Sequence, residues 1–319
     1  MPGAYFAPGS VTARMARWVM DSVTERDIAR TVTAAQLAAV RRISLVGDKA
    51  TYMAAVAACP LFAPPAANGV LPLVQAYRGQ PYTGGGATDC PWAWPDSGDH
   101  LLVDLTRLAH ERQAVCGDGA LAGHPLLSYT IAVWDSLLLA QALHRAQGRE
   151  RTDGASLLRG HFEPSDGDDR ASPVAQQLHR WLTAVQPTCV HCVADGPDRA
   201  AAQYLAWYLE EALCVPAADM NSAHWLHQNL PGRNSRQAAV FIAGGQHRDT
   251  FDWAVAAATI CRRPLLVLTG HPERFEVDSL PLPVVAPHWI GPLLYPLWLH
   301  EALAARAPQH DMRYTAREV

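Results

Sequence analysis

Two glycine turns are the first places in this sequence where backbone and side chains could do chemistry together. Gly47-Asp48-Lys49-Ala50-Thr51 follows the apolar run Ile43–Val46, and Ala194-Asp195-Gly196-Pro197 follows the run Cys189–Val193. Where a buried strand gives way to a glycine turn and a helix, the helix start presents unpaired N–H groups that suit anionic ligand groups. Neither turn has the spacing of G-x-G-x-x-G or of a Walker loop, so nucleotide binding gains no support. Lys49 is the only lysine among 26 basic residues and stands inside the first turn, where Thr51 adds a hydroxyl. A cation and a hydroxyl there could hold an anion in place of a nest of N–H groups. Cys189 and Cys192 form a lone C-x-x-C. With no second ligand pair and an apolar strand around them, they read as structural. His224 and His227 lie three apart, but no third ligand has a matching spacing, so no metal is expected.

The elements that must position these residues alternate along the chain. Ile43–Val46 and Leu101–Leu105 read as short buried strands, and Leu126 to Ala146 has helical apolar spacing. A polar stretch rich in Gly, Asp and Ser, from Arg149 to Pro173, reads as an interdomain linker. The cycle then restarts. Helices are expected over Val174–Val185, Asp198–Leu213, Arg248–Cys261 and Gly291–Ala305. Strands are expected over Cys189–Val193, Ala238–Ala243 and Pro264–Leu268. Strands alternating with helices imply parallel sheets covered on both faces. The repeated order predicts an α/β chain of two tandem three-layer αβα domains, at 1–150 and 174–319, joined by a linker at 151–173. One large doubly wound domain is the alternative. Residues 60 to 99, rich in Pro, Gly and Trp, fit neither pattern and read as a lid or as packed irregular structure.

The segment ADGPDRAAAQYLAWYLEEALCVPAADMNSAHWLHQNLPG resembles the second sugar-isomerase (SIS) domain of glucosamine-6-phosphate synthase and related aldose–ketose isomerases. In that family a strand runs into Gly-x-Gly-Pro, an Ala/Leu-rich helix ends in a glutamate, and His-Gly-Pro follows. Ala194 replaces the first Gly, while Gly196 and Pro197 match. Glu211 falls on the family's catalytic glutamate and His227 on its ring-opening histidine. The C-terminus resembles the family ending with one residue deleted: Asp311, Arg313 and Ala316 match, and Arg317 replaces the catalytic lysine. VGDKATYMAA resembles the first-domain VGCGTSYHAA, keeping Gly47, Tyr52, Ala54 and Ala55. The family's Ser-x-Ser-Gly-x-Thr phosphate loop is replaced by DLTRLAHERQ, where only Thr106 keeps a hydroxyl and no glycine opens the helix.

The resemblance implies an isomerase of sugar phosphates or amino-sugar phosphates, free of cofactor. Shifting a carbonyl from C1 to C2 needs a base that takes a proton from C2 and returns it to C1. A carboxylate partly shielded from water suits that role, and Glu211 is its candidate. His227 would shuttle the ring-opening proton near neutral pH. Arg317 would stabilise the enediolate electrostatically, although it cannot act as an amine nucleophile. Gly47, Lys49, Thr51, Thr106 and Gly196 would contact the substrate, with Arg107 as further charge. The family often dimerises with the site completed between chains, so a homodimer is implied. The altered phosphate loop points to an unusual substrate, or to a sensor that kept the fold and lost the chemistry.

Composition narrows the rest. The chain has 319 residues, 49% hydrophobic and 18% charged, enough for two cores and unlike a disordered protein. A net charge of −4 lacks the basic footprint of a nucleic-acid binder. Seven scattered cysteines fit a reducing compartment rather than a disulfide framework. No apolar run reaches the ~18 residues of a membrane helix and no leader pattern is evident, so a cytoplasmic protein is expected.

Overall fold

Short runs of Val, Ile, Leu and Ala alternate with longer helical patterns, and in the computed structural model they become two sheets, one all parallel and one parallel but for an edge strand. The structure describes residues 6, 10–24, 27–28, 32–62, 73–78, 92–93, 98–115, 121, 124–149, 153–163, 172–230, 236–244, 249–285 and 287–304. The chain divides into two compact units, Met1–Gly167 with Val285–Leu294, and Asp168–Val284 with Tyr295–Val319.

The first unit opens with helices α1 (Val11–Ser22) and α2 (Ala34–Ala39), followed by β1 (Arg42–Gly47) and α3 (Lys49–Phe62). A reciprocal capping box starts α2: Thr33 caps Gln36, and the Gln36 side chain returns to the Thr33 N–H. Strands β2 (Leu73–Arg78), β3 (Trp92–Ala93) and β4 (His100–Asp104) complete a sheet of order β2-β1-β4-β3. β2 and β4 both pair parallel to β1, and β3 is the antiparallel edge. Helices α4 (Leu105–Val115), α5 (Leu127–Ala146) and α6 (Gly154–Gly160) follow. α5 is apolar around most of its circumference and is correspondingly buried, with Tyr129 and Leu139 fully enclosed.

Several sequence boundaries move. Leu105 opens α4 rather than closing β4, because Asp104 caps that helix by accepting the Arg107 N–H at 3.0 Å. Pro60 reads as the start of irregular chain, yet α3 continues two residues beyond it, held by Leu61 and Phe62, which are almost fully buried. The region 60–99 also contributes β2 and β3, which pair with β1 and β4. The lid reading otherwise falls outside the described residues. The polar stretch 149–173 holds α6, which Asp153 caps through the Ser156 N–H at 3.1 Å. Its first residue, Gly154, lies so close to Leu137 and Trp289 that no side chain fits there.

The second unit starts with α7 (Ser172–Val185), then β5 (Cys189–Ala194), α8 (Arg199–Leu213) and β6 (Ala217–Met220). A short helix α9 (Ser222–His224) continues as a π-helical turn over Trp225–Asn229, closed by the Leu230 N–H on the Trp225 carbonyl at 3.0 Å. Then come β7 (Gln237–Ala243), α10 (Asp249–Ile260), β8 (Leu265–Thr269), β9 (Ser279–Pro281) and α11 (Gly291–Ala304), of which the residues from Tyr295 on belong to this unit. The five strands are all parallel in the order β6-β5-β7-β8-β9. β5, β7 and β8 are buried almost throughout, as strands covered on both faces must be. One face carries Val193, Phe241, Val267 and Trp225, with Trp225, Phe241 and Phe251 meeting edge to face at 5.1 and 5.3 Å. On the other face Tyr204 of α8 bonds His300 of α11 at 2.9 Å.

Candidate functional site

In a parallel sheet, ligands bind beyond the carboxyl ends of the strands, at the point where the strand order reverses. In the first unit that point lies between β1 and β4, since the crossover from β1 leads one way to β2 and β4 lies on the other side. Gly47 ends β1 there. A Cβ on it would stand 2.6 Å from the Thr51 carbonyl carbon, so only glycine lets α3 start so close over the strand. This approach brings Thr51 to Thr106, the second residue of α4, with their hydroxyl oxygens 2.8 Å apart. Two residues singled out by sequence thus converge from separate helices.

Asp48, not singled out, completes the cluster. Its N–H donates to Thr51 Oγ1 at 2.9 Å and to Thr106 Oγ1 at 3.1 Å. Thr51 Oγ1 donates to the Asp48 carbonyl at 2.8 Å, and Thr106 Oγ1 donates to Asp48 Oδ1 at 3.0 Å. Each hydroxyl has one proton, which goes either to Asp48 or to the other threonine hydroxyl. The hydroxyls expected to hold a phosphate therefore already surround a carboxylate. Asp48 itself is exposed, Thr106 half-buried and Thr51 buried, so the cluster opens outward through Asp48. Lys49 is exposed next to it, with φ 35°, a left-handed conformation uncommon outside glycine. Arg107 turns along its own helix to Glu111, Nε to Oε1 at 3.0 Å.

The reversal point of the second sheet lies between β5 and β7 and is likewise lined by carboxylates. Asp195 accepts from the Ser222 N–H at 3.0 Å and its hydroxyl at 2.6 Å, tying the end of β5 to the start of α9. The Ser222 and Thr250 hydroxyls lie 3.0 Å apart. Asp198 accepts the Gly244 N–H at 2.9 Å, and burial, with Asp195 nearby, pushes its pKa up to about 7. Gly196 has φ +54° and open space around any Cβ. The turn itself explains that glycine. The signal for Asp195 and Asp198 was present in sequence as an acidic residue directly after a buried strand, repeated three positions on.

Glu211 and His227 occupy different surroundings from those expected. α8 leaves the carboxyl edge at Arg199 and runs back along the sheet for roughly 18 Å before reaching Glu211. Glu210 beside it accepts the N–H of Ala217, the first residue of β6, at 3.4 Å. Glu211 therefore lies at the amino edge of the sheet, and it is exposed. Its own unit leaves Glu211 exposed and so does not supply the partial shielding expected of a proton-transfer carboxylate. His227 is exposed in the π-helical turn. The β5-to-β6 and β6-to-β7 crossovers run in opposite directions, and right-handed connections then place α8 and the α9 segment on opposite faces. The Trp225 indole N–H on His191 Nδ1 at 3.2 Å fixes the second face, and Tyr204 with His300 the first. The sheet lies between the two segments. Arg317 lies outside the described residues.

Cys189 and Cys192, three apart on a strand, point to opposite faces, so they do not form one site. Burial raises both thiol pKa values. Among the described residues no three His, Cys, Asp or Glu side chains gather as metal ligands. No helix among them is long and apolar enough to cross a membrane.

No protein-family model matches the chain, and no curated protein matches it. Solved structures do. A crystal structure from Salmonella typhimurium LT2, provisionally described as a sugar binding protein, is similar with a TM-score of 0.59 at 16% identity, over 93% of this chain and 99% of that one. One from Silicibacter pomeroyi DSS-3, provisionally described as a phosphosugar isomerase, gives 0.58 at 14%, over 92% and 96%. The C-terminal domain of glucosamine-fructose-6-phosphate aminotransferase from Francisella tularensis gives 0.53 at 11%, over 93% and 94%. At such identities the likeness is one of fold, and the fold of this chain is that of two successive SIS-type α/β units.

Proposed function

We propose that the protein binds a sugar derivative at the carboxyl ends of β1 and β4, through Asp48, Thr51 and Thr106. The observation that carries this reading is the 2.8 Å approach of two threonine hydroxyls from separate helices at the reversal point of the sheet. The sugar and phosphosugar descriptions of proteins with this fold support the ligand class. The local chemistry refines it. A phosphate dianion only accepts hydrogen bonds, whereas sugar hydroxyls both donate and accept, which suits an exposed carboxylate flanked by hydroxyls. Where the sugar is phosphorylated, Lys49 in the same turn is the cation for it. A thermal-shift screen with hexoses, hexosamines and their 6-phosphates tests this reading. At least one is expected to raise Tm, and a Thr51→Val/Thr106→Val variant is expected to lose that rise relative to its own baseline. No rise with any of them, or a rise the double variant keeps, overturns it.

A second reading is the aldose–ketose isomerase, with Glu211 as base, His227 as ring-opening group and Arg317 as enediolate cation. It is favoured by the exposure of both Glu211 and His227 on opposite faces of one sheet, where each is open to a second chain and closed to the other. In this reading the working unit is a homodimer whose site takes one residue from each copy. Proton exchange at C2 of a bound sugar phosphate in deuterated water is expected, lost in Glu211→Gln and in His227→Gln, and partly regained when the two variants are mixed. Exchange absent from every sugar phosphate that binds leaves a sugar sensor instead.

A further inference from the structure

Asp135 is fully buried in α5, yet neither of its carboxyl oxygens makes a hydrogen bond to the described residues. Buried polar groups are ordinarily paired. Its nearest cation is Arg112 of α4, whose Nη2 stops 3.6 Å from Oδ1, beyond hydrogen-bonding reach. The same guanidinium stands 4.0 Å from Oδ1 of Asp27, in the segment after α1. The indole N–H of Trp134, next to Asp135, fixes that segment on α5 by donating to the Val23 carbonyl at 3.0 Å. One cation thus lies between two carboxylates on two elements and closes on neither. The helix that carries it is unevenly held. Leu105, Leu108 and Ala109 are buried in the first half of α4, whereas further on His110 and Glu111 are exposed and Arg112 and Gln113 half-buried. That second half is tied to α5 by polar groups: Gln113 donates to Ser128 Oγ at 2.7 Å, and Arg112 faces Asp135. The first half brings Thr106 to Thr51 and to the Asp48 N–H.

We infer that Asp135 is a proton-operated latch on α4: with its carboxyl neutral the helix lies closed over it and holds Thr106 in place, and with the carboxyl charged the helix loosens. A charged carboxylate buried without a hydrogen bond is costly. It is relieved when water reaches it or when Arg112 closes onto it, and either change moves the second half of α4. A hydrogen bond tolerates a shift of only a few tenths of an ångström, so the movement is felt at Thr106. Asp135 is therefore a positioning residue, and its effect on sugar binding rests on the reading proposed above for Asp48, Thr51 and Thr106. Among the described residues, Arg112 from α4 and Asp27 from the segment after α1 are the charged groups that act on it. Burial raises its pKa to about 7, against an ordinary 3.8, with Arg112 pulling it down and Asp27 pushing it up. The closed helix thus holds the proton more tightly than an arrangement in which the carboxyl meets water. Closure is favoured below about pH 7 and loses ground as the pH rises past it.

Amide hydrogen exchange of the full chain with no sugar present, corrected for the base catalysis of exchange itself, tests the latch. Opening at residues 110–113 and at the Asp48 N–H is expected to rise about tenfold between pH 6 and pH 8. In Asp135→Asn, neutral at both pH values, it is expected to stay at the level the natural chain shows at pH 6. Opening that ignores pH, a rise that persists in Asp135→Asn, or a rise in α4 that does not reach the Asp48 N–H overturns the inference. If Asp135→Asn fails to fold, the position of the rise decides. Arg112→Gln removes the cation that lowers the Asp135 pKa and is expected to move the rise to higher pH. Asp27→Asn removes the acid that raises it and is expected to move the rise to lower pH. A rise that stays in place in both variants overturns the inference as well. Failure of every sugar to raise Tm ends the binding reading alone, because no sugar enters the exchange measurement.

Discussion

Two carboxylates stand out at the level of single residues, because burial has raised each pKa to about 7. Asp198 lies beside Asp195 and the Gly244 N–H. Asp135, inside α5, has Arg112 at 3.6 Å, an ion pair too long for a hydrogen bond, and Arg112 also reaches toward Asp27 at 4.0 Å. In both cases the folded chain holds the proton more tightly than the unfolded chain, whose carboxyl titrates near 3.8. Each contribution to stability is therefore fully present below about pH 4 and is lost as the pH rises toward 7. Asp198→Asn removes one titration. Urea unfolding at pH 5 and pH 8 is expected to show the variant gaining on the natural chain at pH 8, by up to roughly 2.5 kcal/mol between the two conditions. An equal difference at both pH values would mean that Asp198 keeps an ordinary pKa. Glu211 shows where residue types mislead. Its place near the C-terminal end of an apolar helix pointed to a shielded carboxylate, but shielding depends on what covers the end of α8, and nothing in the local sequence encodes that.

At the scale of elements, close approach of helix to strand is what builds both reversal points. Gly47→Ala would force α3 away from β1 and separate the hydroxyls of Thr51 and Thr106. The expected result is a loss of sugar binding out of proportion to a modest loss of Tm; binding retained in the alanine variant would place the ligand elsewhere. At Gly244 a Cβ would fall within the ring of Tyr295, whose hydroxyl bonds the Gly244 carbonyl at 3.1 Å and is buried. A rigid buried ring cannot give way as a flexible side chain does, so Gly244→Ala is expected to cost about 1–3 kcal/mol in chemical denaturation. A cost below measurement would show that α11 shifts freely. Helices α5, α7, α8, α10 and α11 and the buried strands β1, β4, β5, β7 and β8 were legible from apolar runs and glycine punctuation, with ends off by a residue or two, whereas α1, α3 and α4 were given no bounds. β2, β3, β6 and β9 were not legible. All four lie at sheet edges, and their own short sequences carry little periodicity.

At the scale of the whole molecule, each unit has its own sheet and its own core. Two cores need not melt together. Thermal unfolding is expected to depart from two-state behaviour, and Gly244→Ala to lower the transition of the second unit more than that of the first. Coincident tryptophan-fluorescence and far-ultraviolet transitions, with calorimetric and van't Hoff enthalpies equal in both chains, would show a single cooperative unit. The α/β class, the tandem order and the two glycine turns were determined by the sequence alone, because burial of a short apolar run and the start of a helix after glycine are local properties. Only the tertiary structure decided which residues meet. The strand order reverses at β1 and at β5, so residues 55 positions apart, Thr51 and Thr106, come within hydrogen-bonding distance. Residues sixteen apart, Glu211 and His227, end on opposite faces of a sheet. Crossover handedness and strand order act over whole elements, and spacing along the chain does not record them.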